Sequence, residues 1–155
     1  DEALKSYGQA LALFREIGAK LGEANVLKAI GDVQQFRKQL DEALKSYGQA
    51  LALFREIGDR LGEANVLAAF SRLSLYSGDM TLAEEQLEQA IAMRQAMGDL
   101  YSEGADYGNF ALVLLRLGHK AKAKEYAQKA RKAFEQIREP ALLKWIEDLL
   151  AACEE

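Results

Sequence analysis

The chain holds one cysteine, one proline and one histidine among its 155 residues, and each scarcity closes off a class of protein. A lone Cys153 cannot build an internal disulfide framework and suits a reducing, cytoplasmic setting. A lone His119, in the turn Gly118-His119-Lys120 with no cysteine beside it, offers neither a metal-ligand set nor the base of a triad. Excess positive charge is also missing: 20 basic against 24 acidic side chains leave a net of −4, so no nucleic-acid partner is expected. Apolar runs stay short, as at Ala111–Leu115, against the ~20 residues of a membrane span, so no membrane partner is expected either. There is no glycine-rich phosphate loop. The carboxylates Glu84-Glu85-Glu88 and Glu154-Glu155 fall on polar helix faces or at the terminus, without the cleft that catalytic pairs require. No catalytic residue, metal or cofactor is therefore expected, and the chain reads as a non-enzyme. It starts with Asp1 and carries no leader, which suggests a piece of a larger protein.

What is present in abundance is repetition. Residues 1–27 recur at 41–67, and the two copies differ only at Ala19 against Asp59 and Lys20 against Arg60. The period of 40 continues more loosely at 89–99 and again from Ala121. Within a period, Ala43, Leu44, Tyr47, Ala50, Leu51, Phe54 and Ile57 recur at spacings of three and four, one apolar stripe of a helix. Gly18, Gly58 and Gly98 follow such stripes at the left-handed C-cap position. A second stripe runs through Val66, Leu67, Phe70, Leu73 and Tyr76. Thr81 and Glu84 have the spacing of a capping box for the helix after it.

The pattern predicts eight helices, at 1–17, 22–38, 41–57, 62–77, 81–97, 101–117, 121–137 and 140–153, and no strand. Pro140 fits the first turn of the last, where its missing N–H costs nothing. Short connections make successive helices antiparallel, and a fixed period stacks the pairs into a solenoid. Alanines seven apart (43 and 50, 83 and 90, 123 and 130) allow close approach of neighbouring helices. Gly8 and Gly48, in mid-helix, are expected to face outward.

These residues resemble the tetratricopeptide repeat. Its sequence of large apolar, apolar-small and small-x3-aromatic-x2-small positions is met by Leu27, Ile30-Gly31, Ala43, Tyr47 and Ala50. Leu67, Phe70-Ser71, Ala83, Leu87 and Ala90 follow, then Tyr107, Phe110-Ala111, Ala123, Ala127 and Ala130. Ala3, Tyr7 and Ala10 mark a half repeat that lacks its first helix. The period of 40 resembles the long-repeat subgroup of kinesin light chains, LGN-type adaptors and bacterial regulators. The resemblance implies an all-α, right-handed superhelix: one array with a half repeat at 1–18, repeats at 22–58, 62–98 and 101–137, and a closing helix at 140–153.

It also implies a concave face, lined by the first helix of each pair, that holds extended or helical peptide segments. Carried over to this sequence, the groove positions are Asn25, Lys28, Asp32, Gln35 and Phe36, then Asn65, Arg72, Leu75 and Tyr76, then Leu112, Leu115 and Arg116. Lys28, Arg72 and Arg116 against Asp32 alone make the groove mildly positive, suited to an acidic partner with apolar anchors. The family's clamp for chaperone C-terminal carboxylates is not expected, because its later position reads Ala29, Ala69 and Asn109. The leading expectation is a protein- or peptide-binding scaffold, part of a larger bacterial signalling or regulatory protein. Two alternatives stay open: a homo-oligomer formed through helix 1–17, whose apolar face lacks a partner, and a sensor of a small signalling peptide. The six basic residues between Lys120 and Lys132 are expected to be spread around a solvated face, and Trp145 to cover the end of the core.

Overall fold

Each 40-residue period yields two helices because each has its own stop and start signals. A computed structural model describes all 155 residues as α1 (Glu2–Ile17), α2 (Lys20–Phe36), α3 (Leu40–Ile57), α4 (Arg60–Tyr76), α5 (Met80–Ala96), α6 (Leu100–Arg116), α7 (Lys120–Ile137) and α8 (Pro140–Glu154). Gly18 and Gly58 close α1 and α3 at φ 68° and 72°, the left-handed conformation a glycine adopts without strain. The aspartate after Gly58 then caps the next helix: Asp59 Oδ1 accepts from the Gly62 N–H at 2.9 Å. Asp79 and Asp99 do the same for Leu82 and Ser102. Asp59 and Asp99 thus start helix pairs at 60 and 100, and the first pair starts at 20, each one or two residues before the boundaries expected from the repeat. They also correct one expectation: Thr81 lies inside α5 and Asp79, not Thr81, caps it, while Glu84 bonds to Lys122 and Tyr126 on α7.

Departures from the repeat show where local stability is missing. Lys38 sits at φ 61°, where the equivalent Gly78 and Gly118 have φ 83° and 87°. Ala19 holds the N-cap of α2 with no side-chain bond, where its counterpart is Asp59. A non-glycine residue in this region costs roughly 1–2 kcal/mol, partly offset by the entropy a glycine loses on folding, and a missing cap costs about 1 kcal/mol. Lys38→Gly and Ala19→Asp should therefore each stabilise the chain by about 1 kcal/mol. Urea denaturation midpoints check this, and no rise for either variant would contradict it.

Packing follows the small residues. Ala43, Ala50, Ala83, Ala90, Ala123 and Ala130 are all fully buried. Gly31 lies under the Tyr47 ring and Gly62 under Phe54, so close that an added Cβ would stand 2.6 Å and 2.3 Å from the ring carbons. Within each pair, α2 lies against α3, α4 against α5 and α6 against α7. The backbones of successive even-numbered helices also approach one another closely, whereas the odd-numbered ones stand further apart and meet through side chains such as Glu84 with Lys122 and Tyr126. The even row is thus the inner, concave side of an all-α solenoid. Gly8 and Gly48 meet nothing on the outer side.

The core falls into two clusters. One joins α2, α3 and α4 around Leu27, Tyr47, Phe54 and Leu73. The larger joins α4 to α8 around Leu87, Phe110, Tyr126, Phe134 and Ile146. Trp145 packs onto the larger cluster, over Gly108 and beside Phe134. By contrast, α1 buries no residue at all.

Candidate functional site

The expected groove residues occupy the even row, but their surroundings divide them. Phe36, Tyr76 and Arg116 stand at the same position of successive repeats, each the last residue of its helix. Phe36 is 88% exposed and Tyr76 37%. Together with Asp32 and Gln35 they line a hollow of about 640 Å³, which Lys38 of the α2–α3 connection and Leu40, the first residue of α3, also line. The sequence reading did not include those last two. The signal was there in Lys38, which replaces a repeat glycine and so points a cation where other repeats have none.

Charge in the groove is arranged differently from the simple sum. Lys28 Nζ meets Asp32 Oδ2 at 2.7 Å, and the Tyr47 hydroxyl donates to Asp32 Oδ1 at 2.6 Å. Both oxygens of the one groove carboxylate are thereby engaged. Burial, then the adjacent Asp32 carboxylate, pushes the Tyr47 hydroxyl far above its ordinary pKa, so it stays a donor. Arg72, Arg116 and Lys38 make no ion pair within the chain and remain as net positive charge along the hollow and the turn of α4 beside it.

Several expected groove residues are committed elsewhere. Leu75 is only 4% exposed and belongs to the core, because α4 is covered on both sides by α5 and α6. Leu112 and Leu115 pack partly buried against that same core. Asn65 is exposed, yet its Oδ1 accepts from Arg94 Nη2 at 2.8 Å. Asn25 is exposed on α2. The sequence reading missed Arg94 itself: it is 3% exposed, and its Nε donates to Asp106 Oδ2 at 2.9 Å. That side chain ties α5 to both α4 and α6. Nothing in the repeat marks it, since the equivalent residue in α3 is Phe54.

The remaining chemically capable groups are in structural use. Cys153 is buried, and burial followed by Glu154 pushes its thiol up, away from the reactive thiolate. His119 sits exposed before α7, and no three metal-ligating side chains come together anywhere in the chain. On α7, Lys122 meets Glu84 and Lys124 meets Glu154, while Lys129 lies over the Tyr107 and Tyr126 rings at 5.6 and 5.0 Å.

An inner row of helices, a hollow between repeat ends and an outer row of helices define a helical-repeat solenoid, a class that works through an extended surface. Residues 1–56 and 24–96 match the sequence model of the tetratricopeptide repeat, and the chain belongs to that family. No curated protein matches the chain. Proteins of this family generally mediate protein–protein interactions and are typically non-enzymatic scaffolds. No helix is long and apolar enough to cross a membrane.

Proposed function

We propose that the concave face is a docking surface for an acidic protein segment with apolar anchors. The observation that carries this is the hollow where Phe36 and Tyr76 stand exposed beside Arg116 and Lys38, cations that form no ion pair within the chain. An apolar side chain of the partner seats between the two rings, which are rigid and lose little entropy on contact. Its Asp or Glu meets the guanidinium of Arg116 or Arg72, where paired N–H donors match a carboxylate. In this reading the array is one part of a larger bacterial signalling or regulatory protein, and the groove recruits its partner.

A fluorescein-labelled model peptide of alternating Glu and Leu tests the groove by fluorescence polarisation. Replacing Arg72 and Tyr76 together by Ala should weaken binding about tenfold or more, because each belongs to the residue types that dominate interfaces. Circular dichroism should show unchanged helicity. Equal affinity for the wild type and the double variant would remove the basis of the proposal.

A further inference from the structure

The α6–α7 pair carries a second hollow, of about 290 Å³, lined by Glu103 and Tyr107 of α6 and by Lys129, Lys132, Ala133 and Gln136 of α7. It owes nothing to either end of the chain, because α4 and α5 pack against this pair from one side and α8 from the other. It shares no residue with the concave hollow, and Tyr107 lies about 14 Å along α6 from Arg116.

Polar groups here lack the partners that their counterparts have. The hydroxyls of Tyr47 and Tyr126 donate to Asp32 and Glu84, whereas that of Tyr107 makes no hydrogen bond within the chain. Tyr107 is only 8% exposed, yet it lines the hollow. Its hydroxyl keeps access to solvent, since Arg94 Nη1 is the one unpaired side-chain polar atom shut off from it. Burial, followed by the Glu88 and Glu103 carboxylates, pushes the Tyr107 hydroxyl up to about 12, so it stays a donor at neutral pH. Lys129 Nζ stands 5.6 and 5.0 Å from the centroids of the Tyr107 and Tyr126 rings, a contact that holds the ammonium in place and leaves its N–H groups without an acceptor. Ion pairs of α7 run through Lys122, Lys124 and Arg131, and leave Lys129 and Lys132 free.

This donor set belongs to one repeat. At the positions of Tyr107, Lys129 and Lys132 the preceding repeat has Leu67, Gln89 and Ala92, and the one before it Leu27, Gln49 and Ala52. In those repeats the glutamate equivalent to Glu103 meets an arginine, Glu23 with Arg15 at 2.9 Å and Glu63 with Arg55 at 2.8 Å. Here the arginine is Gln95, whose Nε2 donates to Glu103 Oε1 at 2.6 Å, and two unpaired cations stand on α7 instead.

We propose that this hollow binds a phosphate monoester, whose oxygens accept from Lys129, Lys132 and the Tyr107 hydroxyl. Such a group offers three acceptor oxygens and close to two negative charges, which two ammonium groups balance. A single carboxylate would satisfy fewer of the donors and half of the charge. Against Glu103, the one carboxylate of the lining, the two lysines leave the hollow net positive. The same chemistry serves a free phosphate ester or a phosphorylated side chain, and the test separates the two.

Amide shifts of residues 103–107 and 129–136 in the full chain, followed by NMR, report the binding. The probes are inorganic phosphate, a blocked tripeptide with a central phosphoserine, the same tripeptide unphosphorylated, and acetate. At least one phosphate probe should shift these amides to saturation, and the other two probes should not. Saturation by inorganic phosphate marks a free ligand, and saturation by the phosphotripeptide alone marks a phosphorylated segment; both uphold the proposal. Tyr107→Phe should weaken binding about tenfold without changing the melting of the chain, because the hydroxyl it removes has no partner there. Lys129→Gln and Lys132→Gln should each weaken it by about as much, while Lys45→Gln, exposed on α3, should not. No saturation by either phosphate probe, an equal response to acetate, or indifference to Tyr107→Phe would overturn the proposal. So would an equal loss in Lys45→Gln, because surface charge alone would then explain the binding.

Discussion

Replacing Arg94 by Met should destabilise the chain by about 3–5 kcal/mol, the usual cost of leaving one member of a buried ion pair without the other. For a chain of this length that is a fall of roughly 10 °C or more in the melting temperature. Asp106 would stay 7% exposed with its guanidinium partner gone, and Asn65 would lose the donor that holds it. The loss should depend on pH in a defined direction. Burial already raises the Asp106 carboxyl above its ordinary pKa, opposed by the bond and charge of Arg94. Without Arg94 that opposition disappears and the rise is larger. A carboxyl raised in the folded state weakens the fold as pH rises through its folded pKa, and the penalty vanishes below its unfolded pKa. The deficit of Arg94→Met should therefore be largest at neutral pH and shrink on acidification towards the ordinary carboxylate range. Urea denaturation at neutral and mildly acidic pH checks this, and an equal deficit at both would contradict it. Arg94→Met combined with Asp106→Leu should recover much of the loss, since an apolar pair of similar volume often matches a buried ion pair.

Tyr47→Ala and Tyr7→Ala should differ sharply although the sequence around them is the same. Tyr47 is fully buried, contacts Gly31 and Phe70, and donates to Asp32. Truncating it should cost about 3–5 kcal/mol, as removal of a buried aromatic side chain does. Tyr7 is half-buried and makes no protein hydrogen bond, so its loss should cost no more than about half as much. Melting of the two variants beside the wild type gives the comparison directly. Equal losses would mean that α1 is covered in solution, and light scattering on the same samples would show whether a second molecule covers it.

The repeat made most of this fold legible. Spacing at three and four placed all eight helices, and the alanine positions foretold where neighbours approach, because close packing leaves no room for a larger residue at 43, 50, 83, 90, 123 or 130. Helix starts were harder, since Asp59, Asp79 and Asp99 cap through side-chain geometry that hydrophobic periodicity does not carry. In the groove, the resemblance to the repeat family implied Phe36, Tyr76 and Arg116, which stand at one position of successive repeats. It could not tell that Leu75 turns towards α5 and α6, because a helix flanked on both sides buries faces that a single stripe leaves open. Nor could it find Leu40, which reaches the hollow from the first turn of α3, or Arg94, whose partners lie 12 and 29 residues away.

The uneven coverage of α1 and α3 gives the molecule a direction. In an array stabilised by each unit and its nearest neighbours, a unit with one neighbour opens at lower free energy than one with two. Here the weak unit is α1, which buries no residue, whereas α3 buries six from the same sequence. Amide protons of α1 should therefore exchange ahead of their counterparts in α3, so that one sequence reports two rates of opening.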